Sequence, residues 1–196
     1  KSKKIGYRSF GIHFAPKKLS GKDVCPHASK GCIAACLNTA GMGVYSTVQT
    51  ARINKTKRFF EDKEKFLVES IEEVETQIRR ASKKGDKISF RFNLTSDVSW
   101  ENVKLHGKNI MEMFPDVQFY DYTKDAARMV RYLTTTKFPP NYHLTFSRSE
   151  SNEDKCLIVL ALGGNVAVVF DAKSFANQLP ETFLGKPVVS GDKNDM

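Results

Sequence analysis

The sequence lacks the features of membrane and secreted proteins. It contains no run of about 18 apolar residues, the shortest stretch expected of a membrane-spanning helix. Its first residues, Lys1-Ser2-Lys3-Lys4, do not include the apolar stretch of a signal peptide. We therefore expect a cytoplasmic protein without a membrane partner.

The sequence also lacks two common catalytic motifs and has no visible internal repeat. There is no Gly-x₄-Gly-Lys-Ser/Thr loop to bind the phosphates of a nucleoside triphosphate. No serine lies in a Gly-x-Ser-x-Gly turn, which exposes the nucleophile of many hydrolases. No period of the solenoid kind is visible. These absences exclude P-loop hydrolysis, serine hydrolase chemistry and a repeat architecture.

Acidic residues are scarce in the first third of the chain. Residues 1–60 contain twelve lysines and arginines but a single acid, Asp23, a net charge of +11. The rest of the chain contains nineteen bases and twenty-one acids, a net charge of −2. A concentrated positive surface favours a polyanionic partner such as nucleic acid or a nucleotide. Arg52 and Lys55, which share one face of a predicted helix, are the candidate phosphate contacts.

Cysteine is scarce too, and its distribution is uneven. Cys25, Cys32 and Cys36 lie within twelve residues, and Cys156 follows 120 residues later. A disulfide framework is typical of secreted chains shorter than about 100 residues, so we do not expect one here. Three thiolates and one open position suit a 4Fe–4S cluster, and zinc is the alternative metal. The alternative to the open position is a fourth protein ligand, Cys156 or His27, although the apolar residues around Cys156 favour a place in the core.

The hydrophobic pattern alternates between strands and helices. With 40% hydrophobic residues, we expect a single domain (1–196) in which residues 15–60 form a basic, cysteine-containing insertion plus a helix. Strands are predicted over residues 4–14, 88–94, 117–122, 142–146, 166–170 and 187–189, and helices over 46–60, 62–85, 101–113, 125–133 and 151–163. Strands separated by helices predict parallel βαβ units and the α/β class.

Polar residues favour a barrel over an open doubly wound sheet. Alternate positions on four strands are polar, whereas central parallel strands are normally apolar on both faces. Polar clusters also follow the strands, where α/β barrels place their active sites. We therefore predict a partial (βα)₆-type barrel with the cysteine loop directly after its first strand. The alternative is an antiparallel sheet with one solvated face, which would require hairpins.

The predicted interior and mouth of the barrel supply the candidate site. Carboxylates there suit acid, base or ligand roles, with helix N-capping as the alternative. Cations near helix N-termini are suited to bind an anion, and the alternative is a solvated surface charge. Tyrosines are suited to stack on a base, and the alternative is packing inside the barrel. His143 is a proton shuttle or a hydrogen-bonded core histidine. The candidates are Asp97, Asp121, His143 and Arg148 for catalysis, Arg91, Asn93, Tyr120, Tyr122, Lys124, Ser147, Arg52 and Lys55 for substrate binding, and Cys25, Cys32 and Cys36 for metal.

Several segments resemble gene-product-88-like proteins, which phages and plasmids encode. They are Cys25-Pro26-His27 with Cys32 and Cys36, Thr95-Ser96-Asp97, residues 113–124 (Met-Phe-Pro-Asp-Val-Gln-Phe-Tyr-Asp-Tyr-Thr-Lys) and residues 142–150 (Tyr-His-Leu-Thr-Phe-Ser-Arg-Ser-Glu). This resemblance spans nearly the whole chain and implies a mobile-element origin, and hence the cytoplasm of a bacterial host. Gly191-Asp192-Lys193 is similar to a family segment that more chain follows, so we expect the C-terminus to be cut short.

The predicted layout also resembles radical S-adenosylmethionine enzymes in architecture, although their Cys-x₃-Cys-x₂-Cys spacing is replaced by Cys-x₆-Cys-x₃-Cys. That resemblance implies an iron–sulfur-dependent enzyme and leaves S-adenosylmethionine open as a ligand. We expect a cysteine-ligated metal, most simply an iron–sulfur cluster, at the mouth of the barrel, acting on a nucleic acid or a nucleotide-like anion. The alternative is a non-catalytic, zinc-stabilised nucleic-acid-binding protein. The oligomeric state stays open.

Overall fold

The computed structural model describes residues 6–171 and 178–191. In chain order the elements are β1 (Tyr7–Gly11), α1 (Lys17–Ser20), α2 (Lys30–Ala34), α3 (Ser46–Glu61), α4 (Lys63–Ser82), β2 (Lys87–Arg91), β3 (Lys104–Leu105), β4 (Lys108–Asn109), α5 (Ile110–Met113), β5 (Gln118–Thr123), α6 (Ala126–Thr134), β6 (Tyr142–Ser147), α7 (Glu153–Ala161), β7 (Val166–Ala167), β8 (Thr182–Phe183) and β9 (Lys186–Pro187). Within these residues no helix has the length and apolar character needed to cross a bilayer.

A parallel sheet of five strands organises the molecule. Its strands lie in the order β1-β2-β5-β6-β7, which follows the chain without reversal. Every neighbouring pair is parallel, and the helices α3, α4, α6 and α7 lie in the connections between the strands. The predicted α/β class with parallel units is therefore confirmed.

The strand register gives this sheet one polar and one apolar face. Ser9 pairs with Ser89, Tyr120 with His143, and Tyr122 with Thr145, so these side chains share a face. The hydroxyl oxygens of Ser9 and Ser89 are 2.8 Å apart. The polar alternation seen in the sequence thus corresponds to a continuous polar surface across β1, β2, β5 and β6.

The hydrophobic core lies between the apolar face and the helices. The sheet contributes side chains such as Phe90, Phe119 and Leu144, and α4 and α6 contribute Leu67 and Met129. The Phe90 and Phe119 rings stack with their centroids 5.7 Å apart. Because the helices cover the apolar face, the polar face lies outside the hydrophobic core, and cavities can form along it.

Two of the helices begin where an aspartate caps their free backbone N–H groups. The Asp62 side chain accepts a hydrogen bond from the backbone N–H of Lys65 at the start of α4, and Asp125 accepts one from the N–H of Arg128 at the start of α6. Both helices were predicted from the sequence, and each cap fixes the residue at which its helix begins.

Two predicted elements differ in the structure. The helix predicted over 101–113 is replaced by the hairpin β3–β4 and the short helix α5. Its two turn residues, His106 and Gly107, both have positive φ (49° and 83°), which suits a two-residue hairpin turn and not a helix. The sixth strand, predicted over 187–189, pairs as β9 with β8 through the similar turn at Leu184 and Gly185, outside the main sheet.

Candidate functional site

Ten of the predicted site residues line one cavity of about 520 Å³. It lies where the parallel strands end, because the residues that follow β2, β5 and β6 meet there. The ten are Cys25, Cys32, Cys36, Arg91, Asn93, Asp97, Tyr122, Lys124, Ser147 and Arg148. We call this space the thiol cavity.

The segment carrying the three cysteines is attached to the loops that follow β2 and β6. The backbone N–H of Asp97 donates to the carbonyl oxygen of Val24 (2.7 Å), and the Cys25 thiol lies 3.7 Å from the carbonyl oxygen of Thr95. The Glu150 carboxylate accepts from the N–H of Gly31 (2.8 Å) and from the hydroxyl of Ser29 (2.7 Å). The start of α2 is therefore held by a side chain from across the cavity.

The thiols share the cavity but do not form a closed set of metal ligands. Among residues 6–171 and 178–191, no three His, Cys, Asp or Glu side chains are placed to hold one metal ion. Burial, followed by the charges of Asp97, Cys32 and Cys36, raises the pKa of Cys25 to about 12. The donor chemistry suits a thiophilic metal, but the three thiols would have to rearrange to bind one centre.

Neither of the other suggested ligands lies with the three thiols. Cys156 is fully buried in the hydrophobic core. The Nε2 atom of His27 lies 3.4 Å from the Asp125 carboxylate, and its side chain is about half exposed.

Three cationic side chains line the thiol cavity. Lys124 Nζ donates to the Ser147 hydroxyl (3.2 Å), and the guanidinium of Arg91 lies 4.4 Å from the centre of the Tyr122 ring. Arg148 Nη2 donates to Glu153 (2.8 Å). The Nε atoms of Arg91 and Arg148 are buried and have no hydrogen-bond partner in the described parts of the chain.

The Asp97 carboxylate connects this cavity to a buried charge network. Its Oδ2 accepts from the backbone N–H of Lys124 (2.8 Å), and its Oδ1 accepts from Nη1 of Arg128 (3.2 Å). Arg128 is fully buried and also donates to both carboxylate oxygens of Glu101 (3.0 and 2.7 Å) and to the Tyr142 hydroxyl (2.8 Å). Asp97 is thus fixed from two sides.

Asp121 belongs to the same network but lies on the helix-covered side of the sheet. Its carboxylate accepts from the backbone N–H of Asn93 (2.8 Å) and from the Tyr142 hydroxyl (3.1 Å). Burial raises its pKa to about 7, while the Asn93 bond, Arg128 and other neighbours act in the opposite direction. The structure does not bring Asp121 to the cavity wall.

The remaining predicted residues lie elsewhere. His143 lines a second cavity, Tyr120 is buried in the polar face, and Arg52 is buried with Nη1 donating to the carbonyl oxygen of Asn38 (2.6 Å). Lys55 lines a further cavity of about 350 Å³ beside Glu69 and Glu73. The structure therefore does not place Arg52 and Lys55 with the thiols.

Three structural partners of the site were missed from the sequence: Arg128, Glu101 and Glu150. The structure buries Arg128 fully, and a buried arginine needs acid partners; the only signal in the sequence was its place beside Met129 in the predicted helix. Glu150 lies at the end of a polar cluster, but nothing in the sequence indicates that its side chain contacts the start of α2.

The fold and the site together define an α/β protein whose parallel sheet ends at a cavity lined by thiols and cations. The family model described as Gene product 88 matches residues 2–196, so the chain belongs to the gene product 88 family. The resemblance seen in the sequence is confirmed, whereas the comparisons give no support to the likeness to radical S-adenosylmethionine enzymes. No curated protein and no solved structure matches the chain.

Proposed function

We propose that the thiol cavity binds a nucleotide-like or nucleic-acid anion beside a metal centre held by Cys25, Cys32 and Cys36. One observation carries the proposal: three thiols and three cationic side chains line the same cavity. Ligands of α/β proteins bind at the carboxyl ends of parallel strands, which is where this cavity lies.

The charges around the cavity support an anionic ligand. Of its two carboxylates, Asp97 pairs with buried Arg128, and Glu150 accepts from Ser29 and Gly31. Glu153 pairs with Arg148, whereas Arg91 and Lys124 form no ion pair within the described residues. Leaving a buried donor without an acceptor costs about 1–3 kcal/mol. The phosphate oxygens of an anion would offer acceptors to the unpaired Nε groups of Arg91 and Arg148.

An iron–sulfur cluster is the metal centre we propose for the three thiols. When bound by three thiolates, such a cluster supplies an iron with an open coordination position. Arg91, Lys124 and Arg148 would offset the negative charge that thiolates bring to the cavity. S-adenosylmethionine stays a candidate for the open position, and zinc is the alternative metal.

We also propose that the sheet is part of a barrel. A sheet whose strand order never reverses, joined by right-handed crossovers, carries its helices on one face. The helices do cover the apolar face, and the opposite face is polar from β1 to β6. A curved sheet would make that face a concave interior. A doubly wound sheet, in contrast, would cover both faces with helices.

Metal analysis tests the metal centre. Protein purified without oxygen should be brown and contain about four iron and as many sulfides per chain, and Cys25→Ala, Cys32→Ala and Cys36→Ala should each lose most of both. Cys156→Ala removes a thiol outside the cavity and should keep the cluster. One zinc per chain would replace this proposal with a zinc-stabilised binding protein. The absence of any metal would overturn the metal centre.

Phosphate titration tests the anion site independently. Inorganic phosphate should bind at low ionic strength and weaken as salt is added, because the contact is electrostatic. Lys124→Ala should lower the affinity several-fold. Lys104→Ala, an exposed lysine on β3, is the matched control and should not change it. Equal affinities for both variants and the unsubstituted protein would contradict an anion site here.

A further inference from the structure

A second cavity of about 540 Å³ adjoins the thiol cavity. Tyr122 and Ala167 line both spaces, so the two meet along β5 and β7. The second cavity lies between the polar face of the sheet at β6 and the β8–β9 hairpin, whose Phe183 and Lys186 contribute to its wall. It is not used by the proposed metal centre.

The two cavities differ in chemistry. Aromatic rings line the second one: Phe170 and Phe183 meet edge to face with centroids 5.5 Å apart. Its polar groups are mostly neutral, with His143 Nε2 lying 3.5 Å from Asn165 Nδ2. The thiol cavity, in contrast, carries three cations.

Arg148 connects the two spaces. It lines the thiol cavity, and its guanidinium lies 5.4 Å from the centre of the Phe183 ring in the wall of the second cavity. A ligand that fills both spaces therefore passes this side chain and Tyr122. Such a ligand has an anionic end and a flat, uncharged end with hydrogen-bonding edges.

We infer that the ligand is a nucleotide unit, with its phosphate in the thiol cavity and its base in the second cavity. Each cavity falls within the range of about 300–1,000 Å³ that small ligands occupy. Phe183 offers a face for stacking the base, while His143 and Asn165 offer a donor and an acceptor for its edge. This inference rests on the proposed function, because the phosphate end uses the same cations.

Two kinds of molecule present such a nucleotide unit: a free nucleotide, and a nucleic-acid strand that contains it. Calorimetric titrations of the full chain at one fixed salt concentration should compare inorganic phosphate, the four ribonucleoside monophosphates, the matching nucleosides and a short single-stranded oligonucleotide. At least one monophosphate should bind about tenfold more tightly than phosphate, because stacking one base is worth about 1–3 kcal/mol. If only the oligonucleotide gains this factor, the unit is recognised within a strand.

Two substitutions locate the base. Phe183→Ala and His143→Ala should each lower the affinity for the monophosphate several-fold and leave that for inorganic phosphate unchanged. His143 is an exposed residue on a central strand, so its variant should fold even if the hairpin variant does not. Thr182→Ala, an exposed neighbour on β8, is the matched control and should bind as the unsubstituted protein does.

The outcomes separate this inference from the proposed function. If phosphate binds and depends on Lys124, but neither a monophosphate nor the oligonucleotide binds more tightly than phosphate, the inference is overturned and the anion site stands. An affinity gain that His143→Ala and Phe183→Ala leave intact would also overturn it, because the base would then lie elsewhere. Failure of phosphate itself to bind would instead overturn the anion site.

Discussion

Arg128 on α6 and Asp97 after β2 are joined by a hydrogen bond of 3.2 Å from Nη1 of the arginine to Oδ1 of the carboxylate. The Arg128 side chain is fully buried, whereas the Asp97 side chain is 11% exposed and reaches the thiol cavity. The bond thus runs from the core to the cavity wall. Because Arg128 also binds both oxygens of Glu101, one guanidinium holds two carboxylates.

Removing that guanidinium should be severely destabilising. Arg128→Met leaves Glu101 buried without its partner and Asp97 without one of its two donors, and breaking a buried ion pair from one side costs about 3–5 kcal/mol. Urea unfolding measures the loss. Arg131→Met, on the exposed side of the same helix, is the control and should change the free energy of unfolding by less than about 0.5 kcal/mol.

A second variant shows whether unpaired charge is the cause. Arg128→Met combined with Glu101→Gln removes the buried charge that the single variant leaves behind, so it should recover part of the lost stability. If the double variant is less stable than Arg128→Met by the full effect of Glu101→Gln alone, the two side chains are not coupled and this explanation of the network is wrong.

Asp121 should make the protein less stable as the pH rises towards neutrality. Its pKa of about 7 lies above the ordinary value of 3.8, so the folded state holds the proton more tightly than the unfolded chain does. The free energy of unfolding should therefore fall between about pH 4 and pH 7 and level off on either side. Asp121→Asn stays neutral and should remove this slope, which unfolding curves of both proteins across that range would reveal. Parallel pH profiles would show that Asp121 is already ionised at pH 4.

The meeting of ten predicted residues in one cavity follows from a rule that a sequence can supply. The carboxyl ends of parallel strands share one edge of a sheet, so the polar residues after β2, β5 and β6 are brought together whatever the details of packing. The cysteine loop lies in the connection from β1 to β2, after the short helix α1, and joins them for the same reason. Strand periodicity likewise predicts the polar face, which the pairing of Tyr122 with Thr145 bears out.

The parts that escaped prediction depend on contacts between distant segments or on very short elements. A helical pattern shows which face Arg128 occupies, but it does not reveal that Glu101 and Asp97 come to meet it. The strands β3 and β4 are two residues each, too short for any period, and only the His106-Gly107 turn marks them. Helical spacing predicts Arg52 as a phosphate contact, whereas in the structure its side chain is buried and its guanidinium donates to the carbonyl oxygen of Asn38.

Glu150 should control how tightly the cysteine segment is held. Glu150→Ala removes the acceptor for the N–H of Gly31 and the hydroxyl of Ser29, so α2 should open more often. We expect Cys32 to react several-fold faster with a thiol reagent, while the free energy of global unfolding hardly changes because Glu150 is exposed. Glu72→Ala, an exposed glutamate on α4, is the control. Unchanged labelling of Cys32 would show that the carboxylate does not restrain the helix.

Gly11 should be required for the position of Arg91 in the thiol cavity. The two residues pair in the parallel ladder of β1 and β2, and a methyl group on Gly11 would collide with the backbone carbonyl oxygen of Arg91 and approach the Leu94 side chain to 2.7 Å. A backbone obstacle cannot rotate away, so Gly11→Ala should push the strands apart and cost about 1–3 kcal/mol. Because the shift falls on Arg91, phosphate affinity should drop as well. Gly191→Ala, whose added methyl group meets nothing within 4 Å, should alter neither the urea midpoint nor phosphate binding. Loss of stability with unchanged phosphate affinity would mean that Arg91 does not contact the anion.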